Sequence, residues 1–269
     1  LDEDELLFTR RIENANAFNG VHEDFYVSNK ENDQWENAKN LRVVNTLMNE
    51  GAPSYSANGR ILFFTACQLF DDYGAGRTGY GSCDLFYAYK EGKNWTEAMN
   101  LGGVINSGVW ESQPSFSADG KTLYFVRGKR SGQGISHQDI WSAELSDNGT
   151  WSKPAKIPGL VNTPEVEESV FIHPDGQTLY FASDGHPGMG GLYLFMSRKH
   201  PDGSWGEPVN LGYPINTAGD ENSLLVSSSG SLAVFASDRP GGFGDLDLYH
   251  FELPEKVKPQ PVTYAEGLI

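Results

Sequence analysis

Four glutamates recur at one position of a repeating sequence, and they are the side chains whose chemistry is easiest to name. Each lies four residues after the hydroxyl residue of an Asn-Thr or Asn-Ser pair: Glu50, Glu111, Glu167 and Glu221. Carboxylates brought together can bind a hard cation such as Ca²⁺, or act as the acid and base of a glycosidase. An active site needs different residues for different tasks, so the recurrence of one residue type favours a shared role.

Cys67 and Cys83 are the only cysteines of the chain. Cys67 ends one apolar run and Cys83 immediately precedes the next, so a hairpin between those runs would bring the two thiols together. We expect a disulfide, with a pair of free thiols as the alternative. In the chain-entropy description, closing a loop of about 15 residues contributes roughly 3 kcal/mol to stability.

Charge and motif content exclude several classes of function. The chain has 36 acidic and 20 basic side chains, for a net charge of −16. Such a surface repels phosphate backbones, so a nucleic-acid partner is not expected. No apolar run reaches the length of about 18 residues that a membrane-spanning helix needs. The six histidines have no metal-ligand spacing, and neither a nucleophile elbow nor a phosphate loop is present, so we expect no cofactor, with Ca²⁺ at the glutamates as the one exception.

The elements that must position these residues form an internal repeat. Four tryptophans are spaced by 60, 56 and 54 residues: Trp35, Trp95, Trp151 and Trp205. After each glutamate comes a short strand, a tight turn such as Asn58-Gly59 or Asp119-Gly120, and a second strand. Glycine accepts the positive φ of such turns without a Cβ clash. With a third strand ahead of each tryptophan and a fourth beside it, the repeat contains four short strands, named a to d.

The repeat predicts an all-β fold, a five-bladed β-propeller of four-stranded antiparallel blades. Runs such as 123–126 are apolar without alternation, which indicates strands covered on both faces. No segment has a clear helical period; residues 37–48 are the nearest to one. The first repeat lacks strand a and the last lacks a clear strand d. We expect the propeller over residues 1–253 and a Pro-rich linker over 254–269, whose residues 261–264 begin a further domain absent here.

The repeat resembles a known family. Its fullest form reads Pro114-Ser115-Phe116-Ser117-Ala118-Asp119-Gly120-Lys121-Thr122-Leu123-Tyr124-Phe125, and another copy contains Asn210-Leu211-Gly212-Tyr213-Pro214-Ile215-Asn216-Thr217. These strings are similar to the WD40-like repeat PD40 of TolB-type propellers, and in particular to propellers of the OmpA family. Within that family, the type IX secretion system lipoproteins are the most similar. The resemblance implies a periplasmic, outer-membrane-associated protein with a separate peptidoglycan-binding domain.

A propeller predicts where the four glutamates lie. Strand a is the innermost strand of a blade, and each glutamate immediately precedes it, so we expect the four carboxylates at the mouth of the central channel. Their repulsion must be compensated by local N–H and hydroxyl groups, by a bound Ca²⁺, or by a basic side chain of a partner. We expect this mouth to be an acidic docking point. The recurring Asp24, Asp84, Asp139 and Asp247 are expected to cap backbone groups, and the tryptophans to pack between blades.

Three functions remain open from the sequence. The first is a non-catalytic interaction scaffold that binds other subunits of a secretion or outer-membrane complex. The second is a lectin-like propeller that binds a carbohydrate or peptide, and the third is a glycosidase. The b–c loops, among them the Gly-rich residues 185–191 and 241–244, lie on the same propeller face as the d–a connections, and this face is the expected contact surface.

Overall fold

The computed structural model describes residues 4–17, 20–32, 34–132, 134–188 and 191–263. Within these ranges β-strands are the main regular secondary structure, joined by turns and irregular segments, and the helical content is one 3₁₀ turn at Glu255–Val257. The strands form four hydrogen-bonded sheets, of which the largest has nine strands and contains one parallel bridge, between Trp110 and Cys83. We divide the strands into five antiparallel units that follow the sequence repeats. Residues 37–48, where the sequence is weakly amphipathic, contain a two-residue strand and turns instead of a helix.

The strand bounds of the five units are as follows. Unit 1 contains β1 (Glu5–Glu13), β2 (Val21–Glu31), β3 (Gln34–Trp35) and β4 (Lys39–Asn40). Unit 2 contains β5 (Asn49–Tyr55), β6 (Ile61–Cys67), β7 (Cys83–Glu91), β8 (Asn94–Trp95) and β9 (Met99–Asn100). Unit 3 contains β10 (Trp110–Phe116), β11 (Thr122–Ser131), β12 (Gly134–Glu144) and β13 (Ala155–Lys156). Unit 4 contains β14 (Glu167–Ile172), β15 (Thr178–Ser183), β16 (Tyr193–Arg198) and β17 (Val209–Asn210). Unit 5 contains β18 (Glu221–Val226), β19 (Leu232–Ser237) and β20 (Asp247–Glu252).

The a–b turn shows how local sequence sets these elements. In unit 2, Gly59 adopts φ +65° and donates its N–H to the Ser56 carbonyl at 2.8 Å. The Ser56 N–H then reaches the Ile61 carbonyl at 2.8 Å, which starts the β5–β6 hairpin. The same geometry recurs at Gly120, Gly176 and Gly230.

Successive units pack face to face, and this packing forms the core. The cluster between units 1 and 2 contains Phe25, Phe64 and Phe86, and the cluster between units 4 and 5 contains Leu194 and Phe235. Both faces of β6, of β15 and of the first half of β11 are therefore covered, as their unbroken apolar runs predict, whereas burial alternates along β19 and β20 of unit 5. The strands a, which are β5, β10, β14 and β18, lie side by side around a central cavity.

The predicted disulfide between Cys67 and Cys83 is confirmed. It joins the last residue of β6 to the first residue of β7, which are directly paired across the two strands. The expected incompleteness of the end repeats is also confirmed among the described residues: unit 1 has no strand a, and unit 5 has no strand d.

The first part of the Pro-rich segment is packed on the domain instead of extending from it. Val257 is fully buried, and its carbonyl accepts a hydrogen bond from the Tyr180 hydroxyl at 2.6 Å. Gln260 N–H donates to Asp175, and Val262 N–H donates to the Ser228 carbonyl. Residues 261–263 form no strand, and position 264 of the expected strand lies outside the described residues. A following domain stays a prediction.

Candidate functional site: latches, cavity and loop face

Each of the four glutamates belongs to a polar cluster that we call a latch, consisting of the glutamate, the Ser or Thr four residues before it, and a side chain from strand b or from the b–c loop that follows. In unit 3, Glu111 accepts hydrogen bonds from the backbone N–H and hydroxyl of Ser107 at 3.1 and 2.5 Å. The Arg127 guanidinium binds the same carboxylate at 2.8 Å. Arg127 also donates to the Ile105 carbonyl at 2.7 Å, so the latch ties the d–a connection to strand b.

The latches of units 2 and 5 repeat this chemistry. Arg77 lies 2.8 Å from Glu50, and Arg239 lies 3.3 Å from Glu221. All three arginines stack over aromatic rings of strands b and c, as Arg127 does over Trp141 at 4.7 Å. Such stacking desolvates the guanidinium while preserving its hydrogen bonds.

Unit 4 departs from the pattern. Glu167 accepts hydrogen bonds from Thr163 and from the Ser183 hydroxyl at 3.0 Å, and no arginine contacts it among the described residues. His186 occupies the arginine's place between Phe181 and Phe195 and binds the Val161 carbonyl at 2.8 Å. Without a cation to oppose it, burial raises the pKa of Glu167 to about 7. Burial also raises the pKa of Glu50 and Glu111, against the opposing effect of their arginines.

An asparagine next to each latch binds the neighbouring unit, and two of the four, Asn106 and Asn216, are buried. Asn106 accepts the Leu85 N–H at 2.8 Å and donates to the Leu85 carbonyl at 2.9 Å. It thus acts as a one-residue strand against the middle of strand c. The equivalent pairs are Asn45 with Phe25, Asn162 with Ile140, and Asn216 with Leu194.

The four glutamates do not line the central cavity. Their side chains have 0% exposure, and the residues that line the cavity are their neighbours along strand a, for example Trp110 and Ser112 beside Glu111. Successive side chains of a strand point to opposite faces, so a residue next to the cavity need not point into it. The local hydroxyl and N–H groups, one of the three expected compensations, are present in every latch. A docking role for these carboxylates stays a prediction, and their burial favours a structural one.

The cavity itself has a volume of about 1250 Å³ and a mixed charge. A β-bulge follows each glutamate and presents an extra residue to the cavity; in unit 4 this residue is Glu168. Asn222 donates to Glu168 at 2.7 Å, and burial raises the pKa of both Glu168 and Glu23 on the cavity wall. Sequence reasoning missed both residues, although the doubled Glu167-Glu168 was a signal of the bulge.

Other recurring residues have structural roles. Asp84 accepts the Tyr80 N–H and the Asn100 side chain, and Asp247 accepts the Phe243 N–H, so these two aspartates cap backbone groups as expected. Asp24 and Asp139 instead bind side chains, the Asn40 amide at 2.6 Å and the Lys156 ammonium at 2.7 Å. Trp205 is buried edge-on against Tyr124 of the preceding unit. Trp35 departs from the expected packing, with 42% of its surface exposed.

No group of three or more His, Cys, Asp or Glu side chains suited to a metal ion occurs within the described ranges. The calcium hypothesis therefore has no ligand cluster there. No helix in the described part of the chain is long and apolar enough to cross a membrane.

The b–c loops and d–a connections meet on one face, which we call the loop face. Of the fifteen exposed large hydrophobic side chains among the described residues, nine lie here, and the other six lie in strands. The nine are Val43, Leu47, Phe70, Tyr80, Val104, Leu160, Tyr213, Phe243 and Leu246. The sequence carried a signal that was missed, because Val43, Val104 and Leu160 each lie two residues before the capping asparagine.

Backbone strain occurs on this face, as it also does on the cavity wall, where Ala52, Gln113 and Ser223 have positive φ. Phe70 and Asp71 are consecutive residues with φ of +52° and +62° in the b–c loop of unit 2. Non-glycine residues in this region cost about 1–3 kcal/mol each, and such strain is concentrated at functional sites. The Phe70 ring is 76% exposed despite this cost.

Comparison with known proteins identifies the type of fold. No protein-family model and no curated protein sequence matches the chain. Among solved structures, TolB from Acinetobacter baumannii is 15% identical over 93% of this chain, with a TM-score of 0.54. The chain spans 50% of that TolB chain, about half its length. An endo-arabinase from Bacteroides thetaiotaomicron VPI-5482 is 15% identical over 98% of this chain and 92% of its own, with a TM-score of 0.54. A glycoside hydrolase is 11% identical over 98% of this chain and 89% of its own, with a TM-score of 0.56. At these identities the likeness shows the fold alone, and that fold is a β-propeller of the TolB type.

Proposed function

We propose that this chain is a non-catalytic protein-interaction scaffold that binds its partners through the loop face. One observation carries the proposal: nine exposed apolar side chains are concentrated on that face, while the turns of the opposite face expose none among the described residues. Scattered exposed apolar residues are ordinary, whereas a concentration on one face rimmed by polar groups is typical of an interaction surface.

The architecture we propose is a single five-bladed propeller, with each of the five units as one blade. Four units supply strand a to the wall of one cavity, and unit 1 supplies β1 in its place. The latches and asparagine caps join consecutive units from unit 1 to unit 5, which would give the loop face the rigidity that a scaffold needs.

The cellular setting is proposed from the sequence resemblance. The repeats resemble PD40, and the 210–217 string resembles propellers of the OmpA family, in particular that of PorE, the type IX secretion system lipoprotein. We therefore place the protein in the periplasm, associated with the outer membrane, where its partners are other subunits of the secretion or outer-membrane complex. Anchoring to peptidoglycan would belong to a neighbouring domain.

Cross-linking and pull-down of the full-length protein from its native cells test the scaffold role. A loop-face variant carrying Phe70→Ser, Leu160→Ser and Phe243→Ser is expected to lose a defined set of membrane-complex subunits. The control variant carries Trp35→Ser, Tyr89→Ser and Val209→Ser, which remove apolar groups that are exposed in strands. Equal recovery of the subunits with both variants would refute the loop face as the contact surface.

The central cavity favours a second candidate function, binding of a carbohydrate or a peptide. Glu23 and Glu168 place two carboxyl groups of raised pKa on the wall of this large cavity. A carboxyl of raised pKa is also what the general acid of a glycosidase requires. A glycan library tests this function, since binding or turnover that is lost in Glu168→Gln would support the cavity as the site.

A further inference from the structure

Four equivalent chain segments fill the boundaries between consecutive units. They cover residues 39–55, 99–116, 155–172 and 209–226, and each runs from strand d of one unit to strand a of the next. Each contains the capping asparagine and, five residues later, the latch glutamate. The asparagine binds strand c of the preceding unit, and the glutamate lies against strand b of the following unit.

The fifth boundary, between unit 5 and unit 1, has no such segment among the described residues. We call it the crevice, bounded by β20 on one side and β1 on the other. The strands of unit 5 have at most marginal contact with β1 and β2. An ion pair between Arg11 and Asp245 spans it at 3.7 Å, with both side chains largely exposed.

The β20 wall carries the first half of an unused recognition site. Leu248 is the counterpart of Leu85, since it follows the recurring aspartate of strand c. Leu85 is fully buried and capped by Asn106, whereas Leu248 is 47% exposed and has no side-chain cap among the described residues. The outer edge of β20, which strand d covers in units 1 to 4, is likewise open within the described ranges.

The β1 wall carries the second half. Phe8 and Tyr26 are directly paired across strands b and c of unit 1, and Phe125 and Trp141 are paired at the equivalent position of unit 3. Arg10 therefore stands where Arg127 stands in unit 3, and it lies over the Tyr26 ring at 5.4 Å. Arg127 binds the glutamate of its strand a, while Arg10 has no carboxylate within ion-pair distance among the described residues. In units 2 to 5, strand a covers the inner edge of strand b. In unit 1 no strand covers that edge of β1 among the described residues, and residues 6–13 of β1 line the cavity.

We propose that the crevice is a binding site for an extended acidic peptide segment of a partner polypeptide. The segment would add a short strand to β20, cap the Leu248 N–H and carbonyl with an asparagine side chain, and continue as a strand along β1. Its glutamate, five residues after the asparagine, would bind Arg10. The argument for this occupant is complementarity. The crevice has two open strand edges, a strand residue without an asparagine cap and a stacked arginine, and the chain's own d–a segments fill the same arrangement at the other four boundaries. Arg10 and the adjacent Arg11 also favour an acidic partner, in a chain of net charge −16.

The test uses a labelled synthetic peptide with the sequence of residues 96–117 of this chain, and fluorescence anisotropy with the 269-residue protein. We expect saturable binding that weakens by about tenfold or more when the peptide carries Gln in place of Glu111, because a charge-assisted hydrogen bond is lost. The protein variant Arg10→Met should weaken binding to the same extent, and Arg10→Lys less. Arg60→Met, at an a–b turn, is the matched control and should leave binding unchanged.

Hydrogen exchange gives a second measurement that does not depend on a variant. The peptide should slow exchange in β1 and β20 and leave β14 and β15 unchanged. Absence of saturable binding, binding that is indifferent to Arg10, or protection confined to other strands would each overturn the proposal. If the protein associates with itself and the peptide does not dissociate that complex, the proposal is also wrong. If the loop-face variant no longer captures the membrane-complex subunits but still binds the peptide, the crevice and the loop face are separate sites.

Discussion

Glu167 makes the stability of the fold depend on pH in a direction opposite to that of most carboxylates. Its pKa rises from 4.5 to about 7 because the side chain is buried without a cation. At roughly 1.4 kcal/mol per pKa unit, the difference amounts to about 3 kcal/mol. The folded state retains a proton that the unfolded chain releases, so this stabilisation is fully present below pH 4.5 and is lost as the pH rises through 7.

The substitution Glu167→Gln keeps the shape of the side chain and mimics the protonated acid. Its amide can donate to the Ser183 hydroxyl while its oxygen accepts the Thr163 N–H, in place of the two carboxylate oxygens. We expect the variant to be more stable than the wild type at pH 8, by up to about 3 kcal/mol, and nearly equal to it at pH 5. Taking the difference between variant and wild type removes the contribution of other titrating groups.

Glu111→Gln is the matched control, because Arg127 lies 2.8 Å from that carboxylate. Removing one partner of a buried ion pair leaves the other uncompensated, and we expect a loss of about 3 kcal/mol at pH 8. Urea unfolding at pH 5, 6, 7 and 8, followed by tryptophan fluorescence, measures both variants. A Glu167→Gln variant that is destabilised at pH 8 as strongly as Glu111→Gln would refute the reasoning, since Glu167 would then act as a charged partner.

Two further substitutions test the joints of the fold. Replacing Cys67 and Cys83 together by Ser should lower the free energy of unfolding by about 3 kcal/mol, and thiol titration of the denatured, unreduced wild type should find no free thiol. Asn106→Ala should cost about 3 kcal/mol in urea unfolding because it leaves the buried Leu85 N–H and carbonyl unsatisfied. The exposed turn variant Asn148→Ala should cost about 1 kcal/mol or less, and an equal loss in both asparagine variants would contradict the capping role.

The parts of the structure that depend on short-range chemistry could be predicted from the sequence. Turn residues such as Asn58-Gly59 fix hairpins, unbroken apolar runs indicate strands covered on both faces, and the recurrence of both indicates a ring of similar units. The disulfide could be predicted because Cys67 and Cys83 stand at the two ends of one hairpin. Each of these inferences needs only neighbouring residues.

The orientation of the glutamates could not be predicted in this way. The sequence places Glu111 at the start of strand a, but the alternation of that strand decides which side chain faces the cavity, and Trp110 and Ser112 do. The position after each glutamate faces the cavity, so Glu168 lies on the wall where Ser112 lies in unit 3, and the bulge of unit 4 leaves Glu168 unpaired in the ladder. Val257 shows a related difficulty, because a single apolar residue among prolines has no period to indicate that it is buried.

The latches also bear on the proposal that the loop face is a contact surface. Each d–a connection is held from within, by the asparagine at one end and the glutamate at the other. The residue directly before each asparagine, such as Ile105, is buried in the core, whereas Val104, one position earlier, is 52% exposed and lies outside that core. Leaving such groups in water gives up the roughly 25 cal/mol per Å² that their burial would contribute. A partner that covers the face would recover that free energy, and the rigid joints beneath it would let the surface bind without first being ordered.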